Sequence, residues 1–346
     1  MRAALVEALG QIRVQEVADP VLLPDSLLIQ VKACAICGSD IRIVYKGDRR
    51  ARFPVIAGHE MSGEVVQVGP QAKGFAVGDR VVVAPGISCG ECYCCQRGWQ
   101  NLCINMISIG YFWPGSFAEY MVPPPRALTQ GFVNKIPPGL SFEEAALAEP
   151  LACCINGQSL LHVGPSDAVA VIGAGPIGLM HVLLAQARGC RKVMLLQRSQ
   201  ARLDMARQVV QADAFISTLA EDAVERVRAE TEGRGADVVI VAAPSKEAQQ
   251  MALQIVGLRG RVSFFGGLGH NDSLATLDSN LIHYKECTVT GASSSTSEQN
   301  REALRLLASG AVHGRSLISH EFPLERIMEA LELVRSSQGL KVVVLP

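Results

Sequence analysis

The sequence predicts an α/β protein built from a β-rich first domain and an inserted, doubly wound parallel sheet, with a C-terminal return to the first domain. Three observations carry this. Before about Phe142, short apolar strands alternate with Gly and Pro turns, and no helical period is sustained. From Ala168 onward the pattern becomes strand, helix, strand, helix, as in a parallel sheet with helices on both faces. The ending, Leu340-Lys341-Val342-Val343-Val344-Leu345, is a strand too hydrophobic to stand alone. The 346 residues suffice for two domains.

In the first part, Leu27 to Val31 and Gly63 to Val68 read as strands, and Gly78-Asp79-Arg80 reads as a turn feeding a buried strand at Val81-Val82-Val83. The texture changes near Glu149. Strands are then expected at Val169 to Ile172, Lys192 to Leu196, Ala214 to Ile216, Asp237 to Val241 and Gly260 to Phe265, with Cys287 to Thr290 extending or edging the sheet. Helices are expected between them, for example Gln200 to Gln211 and Leu219 to Glu232, and two more after about Ser293.

Composition narrows the function classes. Hydrophobic residues make up 49% and charged residues 19%, an ordinary globular balance. The net charge of -1, without a basic run, gives no electrostatic footprint for nucleic acid or an anionic membrane. No apolar run is long enough to span a bilayer, and Glu7 interrupts the start too early for a signal peptide. The expected location is the cytoplasm. Thiols stay reduced there, so a cysteine cluster reads as metal binding before disulfide.

Of eleven cysteines, five fall between Cys89 and Cys103. Cys89, Cys92, Cys95 and Cys103 are separated by two, two and seven residues, a spacing suited to an all-thiolate, closed, structural zinc site. Cys94 breaks the spacing and reads as a bystander. Disulfide-bonded or free cysteines are one alternative. An iron–sulfur cluster is another, although such motifs are spaced differently.

A second, open metal site is suggested by Cys37-Gly38-Ser39-Asp40 and Gly58-His59-Glu60. Cys and His are borderline-soft ligands suited to zinc, and a third ligand with an exchangeable position makes a catalytic site. Glu149, in Ala148-Glu149-Pro150-Leu151, is a further candidate ligand at the domain boundary.

Val169 to Ile172 runs into Gly173-Ala174-Gly175-Pro176-Ile177-Gly178, a strand entering a Gly-x-Gly-x-x-Gly turn and then a helix. The first glycine makes the turn, the second admits the pyrophosphate and the third lets helix and strand pack closely. The helix N-terminus favours the phosphates. Dinucleotide enzymes that prefer NAD place an acid at the end of the second strand, to bind the adenosine ribose. Gln197 stands there, followed by Arg198 and Ser199, with Arg202 in the next turn. A neutral amide beside a guanidinium accepts a 2′-phosphate, so NADP preference is expected. The alternative is that Arg198 is a solvated charge and either cofactor serves.

Together these residues resemble the zinc-containing branch of the medium-chain dehydrogenase/reductase family over essentially the whole chain. Ala148-Glu149-Pro150-Leu151 and Cys37-Gly38-Ser39-Asp40 are similar to the polyol (sorbitol) and threonine dehydrogenases. The resemblance implies a Rossmann sheet, residues 154–291, inserted into a GroES-like catalytic domain formed by residues 1–153 and 292–346, with the active site in the cleft. It implies a catalytic zinc held by Cys37, His59, and Glu60 or Glu149. It further implies cofactor contacts at Ile177, Arg202, Gly267, Leu268, Ala292 and Ser293, and a homodimer or homotetramer. Three departures bear on substrate and cofactor: Gln197 replaces the expected acid, Arg42 stands where sorbitol dehydrogenases tend to carry histidine, and Ala152-Cys153-Cys154-Ile155-Asn156 departs from the stretch that threonine dehydrogenases usually show after the Glu149 region.

The expected reaction is oxidation of a secondary alcohol of a polyol or sugar alcohol, or reduction of the matching ketone. Threonine or another amino alcohol, such as an aminocyclitol, is an alternative substrate. A non-catalytic NADPH-binding sensor is a reading of another class. Ser39 is the candidate proton relay, or else a turn-stabilising hydroxyl. Phe112 and Trp113 either wall the substrate pocket or pack. Lys341 either reaches substrate or is a solvated end charge. His162, His181, His270, His283, His313 and His320 show no ligand pattern, while Cys34, Cys153, Cys154, Cys190 and Cys287 read as core.

Overall fold

The computed structural model describes residues 1–269 and 272–346; His270 lies outside them. The chain packs as two compact units. The first comprises Met1–Ala152, Ser294–Gly310 and Leu317–Pro346, and the second Cys153–Ser293 with Ala311–Ser316. The division differs from the expected one at Cys153, Ala292 and Ser293. It differs also at Ala311–Ser316, a short excursion of the returning segment into the second unit.

The first unit is organised by a mostly antiparallel sheet. Its central strand, Leu27–Ala35, pairs with Glu60–Val68 on one side and with Lys341–Leu345 on the other, in a register that sets Val343 opposite Ala35. Burial alternates along the first part of Leu27–Ala35, as expected for a strand with one covered face. Arg80–Val83 pairs with Glu60–Val68 and Val133–Lys135 with Arg80–Val83. An antiparallel hairpin of Arg2–Ala8 and Gln11–Glu16 belongs to a separate small sheet. The core gathers Leu27, Ile29, Met61, Val83 and Phe117 with Ile327, Leu331 and Val344 from the returning segment.

One expectation fails here. Gly38–Tyr45 is an α-helix, although no helical period was expected before Phe142. It is only eight residues long, too short to repeat an apolar stripe, and it is held by local bonding at its start rather than by propensity.

In the second unit, six parallel strands lie in the order Ala214–Ser217, Lys192–Gln197, Ala168–Ile172, Ala236–Val241, Val256–Phe264, Thr288–Gly291. Numbered along the chain this is 3-2-1-4-5-6, the doubly wound Rossmann order. Ala168–Ile172 is buried at every position, because helices cover both faces of a parallel sheet. Helix starts follow their caps. Asp222 accepts from the amides of Val224 and Glu225, so that helix begins at Ala223 rather than at Leu219. Cys34, Cys154 and Cys287 are buried as expected, whereas Cys153 and Cys190 are only half-buried, and all eleven cysteines are free thiols. Among the described residues, no helix is long and apolar enough to cross a membrane.

Candidate active site and metal centres

Two groups of side chains among the described residues bring three or more metal-ligating atoms within 4.8 Å of one another, and both lie in the first unit. The first is Cys89, Cys92, Cys95 and Cys103. The Sγ atoms of Cys92 and Cys95 are 3.5 Å apart; Cys89 to Cys95 and Cys92 to Cys103 are each 3.9 Å. A tetrahedron with zinc–sulfur bonds of about 2.3 Å has sulfur–sulfur edges of about 3.8 Å, so these thiols fit a zinc ion. The amides of Cys89 and Cys92 point at the sulfurs of Cys103 and Cys89, at 3.2 and 3.4 Å. Cys92 is pulled down to about 6, first by the backbone amide of Cys95. Cys94 is outside the group, and burial raises its thiol.

The second group is Cys37, His59 and Glu60. Cys37 caps the helix Gly38–Tyr45, and Glu60 opens the strand Glu60–Val68, directly opposite Ala35. The residue joining these segments is Asp40, which is completely buried. One of its oxygens accepts from the Cys37 amide at 2.9 Å. The other accepts from the Gly58 amide at 3.3 Å and stands 3.2 Å from Nδ1 of His59. The approach is an electrostatic contact rather than an aligned hydrogen bond, since Nδ1 has no hydrogen-bond partner, and with the carboxylate on that side Nε2 is left for a metal. Burial pulls the His59 imidazolium down, but the charges of Asp40 and Cys37 more than offset this and leave it well above the ordinary histidine range. The Ser39 hydroxyl lies 3.3 Å from Nε2, at the metal-binding edge of the ring.

Glu60 is fully buried and ion-paired through Oε2 to Lys341, whose Nζ also donates to the Ile36 carbonyl at 3.2 Å. Neither expectation for Lys341, a substrate contact or a solvated charge, describes it. The C-terminal strand pairs beside Ala35 and carries the ammonium inward, with 3% of the residue exposed. Burial lowers the Lys341 ammonium, yet Glu60 and Cys37 hold it above its usual value. With Oε2 held this way, Oε1 of Glu60 has no hydrogen-bond partner. A thiol, an imidazole and a carboxylate oxygen without a partner are a donor set that fits zinc. Glu149, near the start of the helix Ala148–Leu160, is not among the three, although its charge also acts on Lys341.

Trp113 donates its indole N–H to the Val122 carbonyl at 2.9 Å and packs on the core, while Phe112 keeps 38% of its surface exposed. Tyr111, missed in the sequence, lies with its ring 5.9 Å from that of His59.

In the second unit, Gly175 caps the helix Pro176–Ala187 and Pro176 takes its first position. A side chain on Gly178 would come 1.8 Å from the Gly173 carbonyl oxygen, so only glycine lets helix and strand meet here. The turn follows Ala168–Ile172, whose neighbour is Ala236–Val241, the point where strand order reverses and nucleotides bind in such sheets. Gln197 ends the second strand half-buried, and Arg198 is exposed. The Ser199 hydroxyl accepts from the Arg202 amide as a helix cap. Burial lowers the half-buried Arg202 guanidinium. Glu247 is held below its usual value, first by the Ser245 hydroxyl and also by the charge of Arg198, an acidic neighbour not foreseen in the sequence. Gly267 and Leu268 follow Val256–Phe264, and Ala292 and Ser293 follow Thr288–Gly291.

Residues 23–135 match the alcohol dehydrogenase GroES-like domain, and residues 176–309 match the zinc-binding dehydrogenase domain. The chain belongs to the zinc-binding alcohol dehydrogenase family. It is therefore an oxidoreductase of the kind that acts on CH–OH groups. Sorbitol dehydrogenase of Bacillus subtilis is 33% identical over 100% of this chain and 97% of its own length. L-threonine 3-dehydrogenase of Pyrococcus furiosus is 36% identical over 95% and 93%. A zinc-binding dehydrogenase from Sinorhizobium meliloti, solved bound to NADP, superposes with a TM-score of 0.92 at 32% identity, covering 100% of this chain and 99% of the other.

Proposed function

We propose that this protein is a zinc-dependent polyol or sugar-alcohol dehydrogenase that oxidises a secondary alcohol, or reduces the matching ketone, with NADP preferred over NAD. The observation that carries the reading is the convergence of Cys37, His59 and Glu60 within 4.8 Å, with the Ser39 hydroxyl beside His59. Zinc bound by these residues, with Glu149 as a further or exchanging ligand, supplies a Lewis acid that makes a coordinated hydroxyl easier to deprotonate. Asp40 faces the imidazole, Lys341 steadies Glu60, and Ser39 relays the alcohol proton, its oxygen accepting that proton as its own hydroxyl proton passes on towards solvent. Cys89, Cys92, Cys95 and Cys103 hold a second, structural zinc.

Gly173, Gly175, Pro176, Ile177 and Gly178 receive the pyrophosphate, and Gly267, Leu268, Ala292 and Ser293 contribute to the remainder of the cofactor site. Gln197 supports NADP because it adds no charge against a 2′-phosphate, and Arg198, Ser199 and Arg202 supply donors for it. The likeness to the NADP-bound Sinorhizobium meliloti protein supports the same choice. A cytoplasmic location follows from the same reading, in which the clustered thiols serve zinc rather than disulfides, and a homodimer or homotetramer is the assembly expected within the family. The experiment is a substrate panel of polyols, amino alcohols and simple alcohols on zinc-loaded protein, with NAD and NADP side by side. Polyol turnover with NADP preferred is the expected result. Turnover of threonine alone would favour the amino-alcohol reading, and activity confined to NAD would remove the role given to Arg198.

A further inference from the structure

Between Arg42 and Arg52 the chain carries five cations (Arg42, Lys46, Arg49, Arg50 and Arg52) against one acid, Asp48, although the chain as a whole has a net charge of -1. This local excess adjoins the metal-site histidine. The Arg50 guanidinium lies 4.2 Å over the ring of Tyr111, whose other neighbour is His59 at 5.9 Å between ring centroids. Arg50 is fixed there by Asp48, which accepts from its Nε and Nη2 at 3.0 and 2.9 Å and also pairs with Arg42 at 3.3 Å. Arg52 donates its amide to the Tyr111 carbonyl at 2.9 Å, and its guanidinium lies 5.6 Å from the half-exposed ring of Phe112.

One carboxylate thus serves two arginines, and among the described residues no acid pairs with Arg49 or Arg52. The guanidinium beside the metal-site aromatic, Arg50, is thus engaged by Asp48, whereas Arg52, tied to Tyr111 by its amide and lying over Phe112, has its fork free of any acid; such a guanidinium can receive a planar or tetrahedral oxyanion through two N–H donors.

We propose that the alcohol substrate carries an anionic group, a phosphate monoester or a carboxylate, away from the reacting carbon, and that Arg52, with Arg50 beside it, receives that group. The inference rests on the dehydrogenase reading above and narrows its substrate class. It makes Arg52 a specificity-determining residue: it selects the charged substrate over its neutral parent without taking part in the hydride step.

The test compares pentitols and hexitols with their terminal phosphates and with the corresponding aldonates, on zinc-loaded protein with both cofactors, for wild type, R52Q, R52K and R50Q. The expected result is a kcat/KM for a phosphate or an aldonate roughly 100-fold above the neutral parent. R52Q should lower it about tenfold or more, R52K should restore part of it, and its KM should rise with added salt. Which series responds identifies the oxyanion. Neutral polyols used as well as both anionic series would overturn the proposal, as would an R52Q loss equal for charged and neutral substrates. Calorimetric binding of the same phosphates and aldonates, without cofactor, separates the two levels of inference. Binding to wild type and not to R52Q, with no turnover of any alcohol, would keep the anion site and sink the dehydrogenase reading. Alcohol turnover with neither binding nor preference for an anionic compound would do the reverse.

Discussion

Replacing Lys341 by methionine removes one half of a buried ion pair while nearly conserving side-chain volume. Lys341 and Glu60 are 3% and 0% exposed, so the orphaned Glu60 carboxylate cannot turn to water. Deleting one partner of such a pair costs about 3–5 kcal/mol, most of it the burial of the remaining charge. At roughly 2–4 °C per kcal/mol for a unit of this size, the first unit of K341M should melt about 6–20 °C below wild type in metal-free protein. The double variant E60Q/K341M removes both charges of the pair and should recover most of that loss. Zinc should narrow the gap between K341M and wild type, because a cation beside Glu60 substitutes for the ammonium. Scanning calorimetry of the four proteins of this cycle, with and without zinc, measures all three effects. Strictly additive losses from E60Q and K341M would refute the coupling, and an unshifted melting temperature for K341M would refute the burial argument itself.

Ser39→Ala should lower turnover while leaving the zinc content unchanged; an unaltered kcat would remove the proton-relay role. Gly178→Ala should abolish cofactor binding, since its Cβ would meet the Gly173 carbonyl at 1.8 Å, and should cost about 1–3 kcal/mol or more of stability; cofactor titration by fluorescence checks it. His181 is fully buried, and burial pushes it down to about 3, so it is neutral in the folded protein. The unfolded chain takes up that proton below about pH 6.5, so stability should fall as pH drops from about 6.5 towards 3, by at most on the order of 4 kcal/mol. Denaturant midpoints for H181Q should depend less on pH across that window than those of wild type.

The parts of this architecture that are periodic or composed of rare residues are legible in the sequence. The parallel strands after Ala168 announce themselves because strands buried on both faces are continuous apolar runs. The cysteine cluster is readable because four thiols at short spacing have few other uses in a reduced chain. The helix Gly38–Tyr45 was hidden by its shortness; the Asp40 bond to Cys37 that sets its start is local, but the Asp40 bond to Gly58 depends on a tertiary meeting. Lys341 was hidden for the same reason. A lysine at the start of a terminal strand looks like a solvated end, and only the pairing of that strand beside Ala35 turns it towards Glu60. Arg50 and Arg52 were visible as charges, but their stacking on Tyr111 and Phe112 joins segments some sixty residues apart. Glu247 likewise reaches the vicinity of Arg198 only through the fold.

The claim on which everything else depends is that Cys37, His59 and Glu60 bind a catalytic zinc distinct from the four-cysteine site. The measurement is metal content by mass spectrometry on wild type and C37S, with alcohol-dependent reduction of the nicotinamide cofactor followed on the same samples. The account predicts two zinc ions per chain and activity for wild type, and one zinc ion without activity for C37S. A C37S protein that keeps both its second zinc ion and its turnover would contradict it.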